Sequence, residues 1–78
     1  MEKAKFTEVR ASYNGLVQEL MESSNPRLNK LSMKYHSEAF EIIYVGTNRI
    51  YEYDELAEQR HALTQIVARI QEEASHIT

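Results

Sequence analysis

From Leu31 to Tyr53 the chain alternates apolar and polar residues, and no other pattern in it leaves so few ways to fold. One strand register places Leu31, Met33, Tyr35, Phe40, Ile42, Tyr44, Tyr51 and Tyr53 on a single face. Successive strand residues point to opposite faces, so a slip of one residue would throw the whole set into water. A tight turn at His36-Ser37 sets Tyr35 opposite Glu38 and Met33 opposite Phe40. A second turn at Gly46-Thr47-Asn48-Arg49, with residue types that tolerate positive φ, sets Val45 opposite Ile50, Tyr44 opposite Tyr51 and Ile42 opposite Tyr53. Both hairpins select the same inner face. The spacing therefore predicts a three-stranded antiparallel meander over about residues 30–36, 38–45 and 49–53, or a two-strand hairpin if the first strand is lost.

The flanks carry a different period. Phe6, Val9, Tyr13, Leu16 and Leu20 recur at steps of three and four, with Val17 and Met21 widening the stripe, which predicts a helix over about residues 4–23. Asn14-Gly15 is a dipeptide common in turns, and a mid-helix Gly costs about 1 kcal/mol relative to Ala. The apolar phase nevertheless passes through Gly15 unbroken, so one helix is expected; a second role for Gly15 is to let another backbone approach closely. Ser23-Ser24-Asn25-Pro26 ends that helix, leaving residues 24–30 as a loop. Asp54 and Glu55 suit a helix N-terminus. Leu56, Leu63, Val67, Ile70, Ala74 and Ile77, with Ile66 beside them, predict a helix over about residues 54–75. At about 30 Å it outruns a three-stranded sheet about 15 Å wide, so its surplus should reach the first helix in an antiparallel pair, or the same helix of a second subunit. The expected fold is α+β and two-layered, a single domain over residues 1–78 in the order α-β-β-β-α (or α-β-β-α), with both helices packed on the aromatic face.

A domain of 78 residues buries only about 60% of the surface its unfolded chain exposes, so a core this small usually needs help. The chain has no cysteine, which removes disulfides and the strong zinc spacings and leaves self-association, most simply a homodimer, or a partner as the expected support. No apolar run approaches the roughly 20 residues of a membrane span, and Met1 to Phe6 lacks the hydrophobic core of a secretory signal. A cytoplasmic location and no processing are expected. Nine Lys and Arg against twelve Asp and Glu give a net charge of −3, the wrong sign for a chain whose main task is gripping phosphate backbones.

The motifs that could carry chemistry are weak. Glu58-x-x-His61 and Glu73-x-x-His76 have the spacing of carboxylate-bridged di-metal bundles, yet such sites need carboxylates from four helices, and these pairs lie about 22 Å apart on one helix. His36 beside Ser37 has no third orienting group, and Gly46 stands alone, without a phosphate-binding glycine pattern. No catalytic residue, metal or cofactor is expected. Five tyrosines and two phenylalanines could stack on single-stranded bases, but the register assigns four of the tyrosines to the core face.

The opposite sheet face is more telling, because it gathers Ile43, Val45 and Ile50 in one corner, rimmed by Glu41, Glu52 and Arg49. An apolar patch with a charged rim suits protein binding. The expected function is a non-enzymatic, self-associating interaction protein, a small inhibitor or adaptor of the phage or plasmid type that occupies a surface of a larger macromolecule. Two alternatives follow from the charge distribution. Arg27, Lys30, Lys34 and Arg49 could serve a nucleic-acid-binding regulator, and Glu52, Asp54, Glu55 and Glu58 could mimic a phosphate backbone and block a DNA-binding protein.

Overall fold

Four α-helices make up the computed structural model of the chain, which describes the backbone of residues 2–48 and 53–77 and the side chains of residues 3–44 and 55–77. They are α1 (Glu2–Glu22), α2 (Pro26–Lys34), α3 (His36–Asn48) and α4 (Tyr53–Ile77). There is no strand among the described residues, so the α+β fold and its meander are overturned. The two flanking helices form as the three-four stripes require. α1 runs unbroken through Gly15, buries Phe6, Tyr13 and Leu20, and leaves Met21 in solvent.

Two corrections explain the middle of the chain. The segment expected to be a loop instead starts a helix: Pro26 occupies the first helical turn, where its missing N–H is not needed, and the Asn25 side chain accepts a hydrogen bond from the Arg27 amide at 3.0 Å. The second concerns the alternating stretch, which also carries a helical stripe at Leu28, Leu31, Tyr35, Ala39, Ile42 and Ile43. Short apolar runs satisfy both periods, and only one can be buried at a time. Burial selects the helical one. Ala39, on the solvent side of the expected sheet, is fully buried, whereas Met33, Phe40 and Tyr44, expected inside, are 74%, 59% and 58% exposed. Ser32, also expected outside, is buried and donates its hydroxyl to the Asn29 carbonyl at 2.6 Å. The turn expected at Gly46 lies on the backbone of α3.

Tyr35 alone separates α2 from α3, and the Ala39 amide already donates to its carbonyl at 3.0 Å, so the two short helices meet at a one-residue kink. α4 lies at the centre. All three other helices pack on it, α1 most extensively, while α1 and α3 barely meet among the described residues. The largest fully buried side chains, Leu63, Ile66 and Ile70, accordingly come from α4.

The two long helices are parallel, not antiparallel. At about 1.5 Å per residue, 21 residues of α1 and 25 of α4 measure roughly 31 and 37 Å, and a body of 40 × 18 × 16 Å accommodates both only along its long axis. Leu16 and Leu20 of α1 line the same cleft as Gln71 and Ala74 of α4, which puts the two C-terminal ends together. α2 and α3, 22 residues between them, carry the chain back along α4 so that it can start again in the same direction.

Candidate interaction surface

Two parallel helices ending side by side bring two sets of carbonyl groups and two negative dipole ends into one place. α1 has no basic residue in its last turn, and α4 has only His76. The compensation comes from α2. Its Asn29 amide donates to the Leu20 and Ser23 carbonyls at 2.8 and 3.0 Å, capping α1 from outside. Arg27, Lys30 and Lys34, exposed and spaced by three and four on one face of α2, bring three cations and no acid to this end of the molecule.

Lys34 also ties α2 to α4. Its ammonium lies 2.6 Å from Glu73 Oε1 and 5.3 Å from the Tyr35 ring centroid, and the Tyr35 hydroxyl donates to Glu73 Oε2 at 2.5 Å. Hydrogen bonds from Lys34 and then Tyr35 hold the Glu73 carboxyl below its ordinary pKa. The Glu73 hydrogen bond in turn raises the pKa values of Lys34 and Tyr35. This triad, with Lys34 exposed and Tyr35 and Glu73 half-buried, joins the kink between α2 and α3 to α4. Glu73 is thus committed to Lys34 and Tyr35, while His61 lies 3.0 Å from the Gln65 amide nitrogen, and no group of three metal-ligating side chains occurs among the described residues.

Beyond the kink, α3 turns one face to α4 and the other to water. Ala39, Ile42 and Ile43 face the core. On the outer side His36, Phe40 and Tyr44, each one helical turn from the next, form a row with ring centroids 6.0 and 6.1 Å apart; the Phe40 and Tyr44 rings are stacked, 21° from coplanar. Met33, at the end of α2, is the other large exposed apolar side chain of this region. An aromatic stripe that ignores the core is uncommon on a solvated helix.

The residues singled out from the sequence are scattered by comparison. Ile43 is half-buried against the core, and Glu41 is exposed on α3. Arg49, Ile50 and Glu52 and the side chain of Val45 lie outside the described residues. Among the described residues there is no strand face to form the sheet corner that joined them. Of the acidic run, Glu55 and Glu58 are exposed on α4, while Glu52 and the Asp54 side chain are outside the described residues. His36 and Ser37 open α3 in solvent and face no tight turn. The signal that could have identified the α3 row is its own spacing: 36, 40 and 44 repeat every fourth residue, as helical neighbours do, although 40 and 44 also satisfy an alternating register.

Two further features complete the surface. An open cleft of about 440 Å³ lies between α1, α2 and α4, lined by Leu16, Leu20, Leu28 and Ala74 with Glu19 and Gln71. In the interior, the Tyr13 hydroxyl is buried without a hydrogen-bond partner, and burial pushes its pKa up. No described helix is long and apolar enough to cross a membrane. Compared with known proteins, the chain matches no family model, no curated protein and no solved structure.

Proposed function

We propose that this is a non-enzymatic protein–protein interaction protein, acting as a small inhibitor or adaptor through the outer face of α3. One observation carries the reading: Phe40 and Tyr44 stack on each other while more than half exposed. Large aromatic side chains supply much of the energy of protein interfaces, because a ring that leaves water buries a large area at little conformational cost. Glu41, exposed on the same helix, supplies charge. Of the residues first favoured for binding, Glu41 is retained, while Ile43 acts from beneath by seating α3 on the core.

The test compares proteins captured from a lysate of the source cell by the wild-type chain and by Phe40→Ser/Tyr44→Ser. Loss of a specific set of captured proteins, with the circular dichroism spectrum unchanged, is the expected result. Identical capture by both chains refutes the reading. A nucleic-acid-binding role rests on a separate observation, the exposed face of Arg27, Lys30 and Lys34 on a helix without acids. It predicts binding to DNA or RNA that weakens steeply with salt and is lost in Arg27→Ala/Lys30→Ala.

A further inference from the structure

We draw no further inference here: the strongest candidate, the open cleft between α1, α2 and α4 floored by Leu16, Leu20, Leu28 and Ala74, is an apolar surface for which nothing in the structure shows what covers it.

Discussion

Replacing Gly15 with alanine should stabilise the protein, and the size of the effect follows from the geometry. Gly15 sits in the middle of α1, exposed, without a positive φ, and a Cβ built on it meets no atom within 4 Å. The added methyl group therefore causes no clash. Its benefit is entropic, since alanine loses less backbone freedom than glycine on entering a helix, by about 0.8–1.0 kcal/mol. At about 2.1 cal/mol/K per residue, unfolding 78 residues carries an entropy near 160 cal/mol/K, so about 1 kcal/mol raises the Tm by roughly 6 °C. Urea and thermal melts followed by circular dichroism at matched protein concentration measure it. An unchanged or lowered Tm would refute the reasoning. It would mean that another surface closes on Gly15 and needs the missing side chain, the close-approach role that Asn14-Gly15 suggests in the sequence.

Four other substitutions test separate parts of the structure. Tyr13→Phe removes a buried hydroxyl that makes no hydrogen bond, so urea melts should show stability unchanged or raised by about 1 kcal/mol; a loss of that size would reveal a partner for the hydroxyl. Ala39→Asp places a charge where the side chain is fully buried and should cost on the order of 3 kcal/mol in the same assay, whereas the strand register would have left it in solvent at little cost. Asn29→Ala removes the side-chain donor to the Leu20 and Ser23 carbonyls, leaving Leu20 only the Ser23 amide, and should cost about 1 kcal/mol, seen as faster amide exchange at the end of α1 and a lower urea midpoint. Glu73→Gln tests pH dependence. Because the folded carboxyl titrates below its ordinary value of 4.5, its contribution is present above that pH and disappears as pH falls through the lower folded value, so the acid-side decline in stability should be shallower in the variant.

Legibility in the sequence varied along the chain. α1 and α4 could be read because their three-four stripes, Phe6 to Leu20 and Leu56 to Ile77, fit no strand and continue for about four and six turns. α2 was encoded but ambiguous: Asn25-Pro26 ends one helix and starts another, and only the Asn25 to Arg27 hydrogen bond shows that it does both. α3 was misread because Phe40, Ile42 and Tyr44 alternate, while Ala39, the residue that marks the buried helical face, looks too small to anchor a core. The candidate interaction face was hidden by the same error. A strand register turns Phe40 and Tyr44 inward, so it left Ile43, Val45 and Ile50 as the apolar residues available for binding.

Composition and local spacing were thus enough to establish a small acidic chain without cysteine, two long amphipathic helices and the absence of any strong catalytic or metal motif. Those are properties of residues and their near neighbours. Which face of residues 31–44 is buried, the parallel course of α1 and α4, and the use of Asn29 of α2 to cap the end of α1 were decided only by tertiary structure. The physical reason is that a short apolar run fits either period at similar local free energy, and the choice is made by the surface available to bury it. Here that surface is α4, whose Leu63, Ile66 and Ile70 offer a helix-shaped groove to a helix.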